Sequence, residues 1–361
     1  MVDHAIRVKA PGRVCLFGEH SDYLGLDVIT AAIDLVIIID VIPRTDNTMH
    51  IVYHDLNEED NFTIGSEIKY IHERDYVRSA FNVMSRRGFV PDRGYNLEIR
   101  GFIPISAGLS SSSALTVASI YAISKMADKT MSLDDIAIAA YDAEVTEFGE
   151  SGGKMDHFAC TYGGIIHVDM ETEKVTELPV ELDTFVIGDS GEKKKDTVGD
   201  LRYIKTTVEK EFEKISRELG TFNRRTTPSK LVVDNPQRII TKERIMAEGV
   251  LANRNLTMSA LRDLNKIELR ASSLGMLLKA HHEILRDCLH RSTPKIERII
   301  DAAYKAGALG CKINGSGGGG TMMAYTTANK RSEVANAIRD AGATPYVVKV
   351  SKGVSSTEIF V

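Results

Sequence analysis

Three short stretches hold residue types whose spacing could do chemistry. The first is Ala10-Pro11-Gly12-Arg13-Val14-Cys15-Leu16-Phe17-Gly18-Glu19-His20-Ser21-Asp22-Tyr23. A short apolar strand here ends in several polar or ionisable groups, which are costly to bury unless something pairs with them. The plainer alternative is an exposed polar turn. The second is Pro104-Ile105-Ser106-Ala107-Gly108-Leu109-Ser110-Ser111-Ser112-Ser113-Ala114-Leu115, where small residues feed into a helical pattern. Backbone N–H groups and the dipole at a helix N-terminus favour an anion, and serine hydroxyls add donors that can also ligate a magnesium ion. One serine suffices to cap a helix. A run from Ser110 to Ser113 exceeds that need and points to a phosphate-binding loop.

The third stretch is Asn314-Gly315-Ser316-Gly317-Gly318-Gly319-Gly320-Thr321. It contains GxGxxG, with Asp340 about twenty residues beyond, as a dinucleotide-binding fold would have. That fold needs the glycines to open a helix, whereas Thr321-Met322-Met323-Ala324-Tyr325 reads as a strand. The alternative of a flexible glycine hinge stays open. The pattern GxxxxGK[ST] is absent, so the chain is not a P-loop enzyme.

The elements that must position these stretches follow from periodicity. Strands are expected at Ile6–Val8, Leu35–Val41, Met49–Tyr53 and Tyr95–Ile99, with Val28 to Val41 a buried strand or hairpin. Helices are expected at Tyr76–Arg86, Ser110–Met126 and Leu133–Phe148. Gly164–Val168 and Leu178–Gly188 return to strand, and Leu201–Leu289 is strongly helical. The end reads as helix Ile296–Lys305, a strand–turn–strand over Leu309–Tyr325, helix Arg331–Ala341, and strands Tyr346–Val350 and Thr357–Val361.

The chain has 361 residues, of which 43% are hydrophobic and 26% charged, with net charge -5. That length predicts two domains with a cleft between them, divided near residue 175 into 1–175 and 176–361. The acidic, dispersed charge argues against nucleic acid as a partner. Cys15, Cys160, Cys288 and Cys311 show no CxxC pair or zinc spacing, which fits a reduced, cytoplasmic protein. The N-terminus has no apolar signal segment, and no stretch approaches the roughly 18 apolar residues of a membrane span. Oligomeric state is not legible.

In this order the motifs resemble the GHMP kinases: galactokinase, homoserine kinase, mevalonate kinase and phosphomevalonate kinase. The resemblance spans nearly the whole chain. It implies an α+β, two-domain fold, with an N-terminal domain like ribosomal protein S5 domain 2 and a ferredoxin-like C-terminal domain. ATP, with Mg2+, would sit in the cleft. It is similar to the galactokinase branch at Gly12-Arg13 and Gly18-Glu19-His20-Ser21-Asp22-Tyr23, where mevalonate kinases share Gly-Glu-His but lack the following Asp-Tyr. By that likeness Glu19, His20, Asp22 and Tyr23 bind the acceptor, and carboxylates that accept from paired hydroxyls reject analogues lacking them. Ala143-Glu144 and Gly153-Lys154-Met155-Asp156-His157 extend the match. They imply Asp156 and Arg13 as catalytic residues, and Ser112 with Glu144 as magnesium ligands. ATP would contact Pro104, Gly108, Leu109, Ser110, Ser111, Ser112, Ser113, Gly315, Gly317 and Gly318.

The chain departs from the galactokinase pattern at Cys15, Ser106-Ala107, Lys154 and His157. The expected reaction moves the γ-phosphoryl of MgATP to the anomeric hydroxyl of a galactose-like sugar, with positioning and charge neutralisation dominating. Rival acceptors are N-acetylgalactosamine, arabinose, a uronic acid and mevalonate. The uronic acid reading rests on Lys154, which either is solvated or faces a substrate carboxylate. The run Glu192-Lys193-Lys194-Lys195 reads as a solvated loop rather than a sign of an anionic substrate. A non-catalytic ATP- and sugar-binding sensor is the rival of another class. The sensors that the family includes lack the Ser-Ala pair present here as Ser113-Ala114.

Overall fold

The structure is a computed structural model describing residues 4–65, 67–105, 107–182, 184–194, 196–266 and 270–360. Ser106, Lys195 and the expected final strand residue Val361 lie outside these. Along the chain, β1 (Ile6–Phe17), β2 (Val28–Pro43), β3 (Thr48–Tyr53) and β4 (Glu58–Thr63) precede α1 (Tyr76–Arg86) and β5 (Tyr95–Gly101). Helices α2 (Ser111–Met126), α3 (Leu133–Tyr141) and α4 (Met155–Tyr162) lead to β6 (Ile165–Asp169), β7 (Lys174–Glu177) and β8 (Phe185–Asp189). Next come α5 (Thr197–Leu219), α6 (Ser229–Val233), α7 (Lys242–Leu264), α8 (Ala271–Asp287) and α9 (Pro294–Lys305). The chain ends with β9 (Gly310–Asn314), β10 (Thr321–Tyr325), α10 (Arg331–Asp340), β11 (Thr344–Val348) and β12 (Ser355–Glu358).

The first sheet runs β12-β1-β2-β5-β3-β4, with β6 pairing both β2 and β7. The apolar run beginning at Val28 is one long strand rather than a hairpin. Its first residues pair with β6, its later ones with β5, and β1 lines the other edge. Two strands, β4 and β7, escape the sequence pattern. In β4 the residues Glu58-Glu59-Asp60-Asn61 pair only with β3, and charge suits such an edge. The second sheet, β11-β8-β10-β9, is antiparallel throughout and carries the βαββαβ order of a ferredoxin-like domain. The chain changes sheets between Glu177 and Phe185, beyond the boundary placed at 175, and β12 returns to pair with β1.

Side-chain alternation joins the two halves. Along β8, Phe185 and Ile187 enter the core that includes Val14, Ile29 and Leu97, while Val186 enters a second core with Ile204, Val250 and Ile299. Local chemistry sets several helix starts. Thr293 caps α9 by accepting from the Ile296 N–H, with Pro294 at the first helical position. Ser132 caps α3 in the same way.

Two departures shape the cleft. The helix expected to reach Phe148 ends at Tyr141, and the chain widens into a π turn over Asp142–Thr146, a feature frequent at functional sites. Ser79 Oγ donates to the Ala143 carbonyl there at 2.6 Å. Helix α4, which the sequence reading left out, carries Asp156 in its first turn. The glycine-rich motif is a hairpin connection between β9 and β10, so no helix follows it and the dinucleotide-binding alternative falls. Gly317, Gly318, Gly319 and Gly320 all have positive φ, a course that residues with a Cβ rarely follow.

Candidate active site

A cleft of about 730 Å3 opens between the two sheets and gathers residues from all three motifs. At its centre Arg13 and Asp156 form a bidentate pair, Nε to Oδ1 at 2.8 Å and Nη2 to Oδ2 at 2.9 Å. The fork geometry fixes the carboxylate's plane as well as its position. The Arg13 Nη1 donates to the Gly108 carbonyl at 2.6 Å, and its backbone N–H to Leu109 O at 3.1 Å, so the arginine is clamped by the serine loop. Burial opposes its charge, but Asp156 and Glu19 outweigh that and raise its pKa.

Ser110 stands at the N-cap of α2 with φ 62° and makes no cap bond. Its hydroxyl donates instead to Asp156 Oδ2 at 2.7 Å. A plain serine-capped helix does not describe this geometry. The first N–H groups of α2 have no acceptor within their own helix, and Ser111, Ser112 and Ser113, which carry them, line the cleft.

The loop after β1 forms one end of the cleft. Glu19 is buried, which alone would raise its pKa; Lys312 and Arg13 overcome that and hold it down at about 2. Lys312 Nζ donates to Glu19 Oε2 at 2.8 Å and to the Cys15 carbonyl at 2.9 Å. His20 sits at φ 64°, a conformation held at some cost by a residue with a side chain. Burial lowers its pKa to about 4. Its Nδ1 meets the Tyr23 hydroxyl at 2.8 Å, and its buried Nε2 has no partner among the described residues. Asp22 is pushed up to about 6, first by burial and then by the neighbouring Asp156. A Cβ at Gly153 would stand 2.0 Å from Asp22 Oδ2, so only glycine lets the carboxylate approach α4, where the Met155 N–H donates to it at 3.4 Å.

Between the serine loop and the glycine hairpin lies Lys194. Its Nζ donates to Ser316 Oγ at 2.9 Å, and its stem packs against Gly320. Burial, helped by Arg13, lowers its pKa to about 8. This corrects the reading of Lys194 as part of a solvated loop: the chain leaving β8 runs beside the hairpin and leaves it half-buried against Ser316 and Gly320. Arg291 braces the other side, donating from Nε to Ser316 O at 3.0 Å and accepting from the Gly318 N–H at 2.8 Å.

Glu144, on the π turn, lies beside Ser112. Burial would raise its pKa, but hydrogen bonds from His157, Ser112 and Ser113 lower it. His157 Nε2 lies 2.7 Å from Glu144 Oε2. An ionised carboxylate and a hydroxyl are hard oxygen donors that suit Mg2+, an ion that keeps water and phosphate for its other positions. Among the described residues no group of three or more His, Cys, Asp or Glu side chains gathers to hold a metal alone.

Other expected residues are placed differently. Pro104, Gly108 and Gly315 line the cleft. Leu109 is a fully buried core residue, and Gly317 and Gly318 pack against Arg291 rather than on the cleft wall. Lys154 pairs with Glu173 and lies over the Tyr141 ring, off the cleft wall, so the residue that suggested a uronic acid is otherwise engaged. Sequence reasoning missed Lys312, a single lysine in an apolar strand; it gave Asn314 no role beyond opening the glycine motif and Lys194 none beyond its charge run. It also missed another part of the cleft lining, where Tyr53, Leu56, Tyr76, Ile99 and Ile103 stand among charged neighbours such as Asp55, Glu58 and Arg74.

Comparison with known proteins bears on this geometry. The GHMP kinases N terminal domain profile matches residues 75–164 and the GHMP kinases C terminal profile residues 259–344. A galactokinase galactose-binding signature matches residues 2–43. The mevalonate kinase of Pyrococcus furiosus is 32% identical across 95% of this chain and 96% of its own. A galactokinase of Haemophilus influenzae is 28% identical, covering 93% and 88%. In fold, Lactococcus lactis galactokinase complexed with galactose aligns with a TM-score of 0.87 at 23% identity, over 98% of this chain and 95% of that one. Methanococcus jannaschii mevalonate kinase aligns at 0.75 and 23% identity, over 97% and 99%. With relatives matched over nearly their whole length at this identity and both domain profiles matched in order along it, the chain belongs to the GHMP kinase family, whose members bind ATP and pass a phosphoryl group to an alcohol.

Proposed function

We propose that the protein transfers the γ-phosphoryl of MgATP to the anomeric hydroxyl of a galactose-like sugar, giving a sugar 1-phosphate in the cytoplasm. The observation that carries this reading is the acceptor loop. Glu19, His20 and Asp22 face one end of the cleft, with a carboxylate, an unpartnered imidazole nitrogen and a second carboxylate whose neighbour is the Arg13–Asp156 pair. Several hydroxyls on one ring match such a set, and the galactose-binding signature covers the same residues.

In this mechanism Asp156 orients the attacking hydroxyl and takes its proton. Arg13 holds that carboxylate in place and sits close to the transferred group. Lys194 and the α2 N-terminus neutralise and grip the phosphates, which is where phosphoryl transfer draws most of its rate, while the Ser110 hydroxyl helps hold Asp156. Ser112 and Glu144 would hold Mg2+, which supplies charge neutralisation at the phosphate oxygens. The full set of catalytic roles favours an enzyme over a sensor.

A second reading has a specific basis. Relatives at 32% and 30% identity carry the name mevalonate kinase, and Lys194 offers the cleft an ammonium that an acceptor carboxylate would meet. An ATP-coupled assay over galactose, N-acetylgalactosamine, arabinose, galacturonate and mevalonate separates the two. Turnover of a neutral sugar supports the first reading, and turnover of mevalonate alone supports the second.

A further inference from the structure

We infer that Lys312 is a positioning residue for the acceptor, a buried ammonium on β9 that holds the Glu19 carboxylate ionised and aimed while tying the acceptor loop to the glycine hairpin. The inference rests on the reading that Glu19 accepts hydroxyls of the acceptor.

Lys312 has no exposed surface, and its strand neighbours Cys311 and Ile313 are equally buried. A lysine in such a strand is costly unless paired, and an apolar residue of similar volume commonly serves packing as well or better. Its Nζ reaches two acceptors, Glu19 Oε2 at 2.8 Å and the Cys15 carbonyl at 2.9 Å. Residues two apart on a strand share a face, and Asn314 uses that same face. Its Oδ1 accepts the Cys15 N–H at 3.0 Å, and its Nδ2 donates to the Gly108 carbonyl at 2.6 Å. That carbonyl also receives Arg13 Nη1. One strand of the second sheet therefore grips both backbone polar groups of Cys15, the Glu19 carboxylate and the serine loop beside Asp156. From the other side Asn253 Nδ2 donates to the Glu19 carbonyl at 2.8 Å.

The ionisable groups around Glu19 come from several elements. Arg13 and Cys15 lie on β1, His20, Asp22 and Tyr23 on the acceptor loop, Lys194 after β8, His281 on α8 and Lys312 on β9. Of these, Lys312 alone hydrogen-bonds the Glu19 carboxylate among the described contacts. Without it, burial dominates and the carboxyl moves upward into the range of a desolvated acid.

The test compares wild type, Lys312→Met, Glu19→Gln and the double variant Lys312→Met/Glu19→Gln, with galactose and mevalonate as acceptors. For whichever acceptor wild type uses, Lys312→Met raises the acceptor KM about 10- to 100-fold, the worth of a hydrogen bond to a charged group. The ATP KM stays near its original value. The acceptor kcat/KM of this variant also gains an acid limb, falling as pH drops through the raised Glu19 pKa. A substrate-free readout runs alongside. A carboxyl whose folded pKa is raised loses its stabilising contribution as pH rises, so the Tm of Lys312→Met falls relative to wild type from about pH 5 to 8. The double variant abolishes that slope and folds even where the single variant does not. An unchanged acceptor KM without an acid limb, a Tm difference that does not vary with pH, or a double variant as unstable as the single one overturns the inference. If wild type phosphorylates neither acceptor, galactose and mevalonate both fall as its substrate, and the Tm comparison still decides whether Lys312 holds Glu19 ionised.

Discussion

The hydroxyl of Ser110 bonds the Asp156 carboxylate at 2.7 Å across 46 residues of sequence, although Ser110 stands where it would ordinarily cap its own helix. Ser110→Gly isolates this contact. Relief of a left-handed conformation is worth about 1 kcal/mol, and the added freedom of glycine in the unfolded chain costs about as much. With those two effects cancelling, loss of the bond to Asp156 should lower Tm modestly, while kcat falls about 10- to 100-fold. A variant with wild-type kcat would show that Ser110 takes no part in holding Asp156.

Asp156→Asn keeps the side chain's shape and one acceptor oxygen for Arg13 but cannot take a proton. We expect kcat to fall about 100- to 10,000-fold, with ATP affinity by calorimetry close to wild type. Near-normal turnover would remove Asp156 from the mechanism.

Lys194 gives the reaction a pH dependence. It is a cation below its pKa of about 8 and neutral above. The kcat/KM for ATP should therefore decline as pH rises through about 8, as the charge facing the phosphates is lost. Lys194→Arg should carry activity to higher pH, because guanidinium stays protonated, and Lys194→Met should be weak at every pH. A decline that survives unchanged in Lys194→Arg belongs to another group.

Removing Glu144 or Ser112 should raise the magnesium concentration needed for half-maximal turnover. The effect should be larger for Glu144→Ala, which removes a charge, than for Ser112→Ala, which removes one neutral oxygen. Identical magnesium titrations for both variants and wild type would place the metal elsewhere.

Sequence reading reached most of the fold because its signals are local. The hairpin around Gly315 to Gly320, helix α1 and the buried strand from Val28 follow from turn chemistry and periodicity. Strand β4 was illegible because its stability comes from pairing with β3 rather than from its own charged residues. Helix α4 was missed because Met155 to Tyr162 is short and follows two glycines. The catalytic roles of Arg13 and Asp156 follow from family likeness alone, and no residue pattern announces their pairing across 143 positions. Lys194 and Lys312 were hidden for opposite reasons. One lies in a charge run that resembles a solvated loop, and the other is a single lysine in an apolar strand whose partner, Glu19, is 293 residues away.

The central claim is that a sugar hydroxyl receives the phosphoryl group, and identifying the product by NMR tests it most directly. Wild type incubated with MgATP and galactose should yield a sugar whose anomeric proton and carbon couple to phosphorus. Asp22→Ala should raise the KM for galactose far more than that for ATP, since Asp22 faces the acceptor end of the cleft. Lys154→Met should leave acceptor preference unchanged, given its pairing with Glu173. Phosphorus on the mevalonate hydroxyl with no sugar phosphorylated, or an Asp22→Ala variant with an unaltered acceptor KM, would contradict the account.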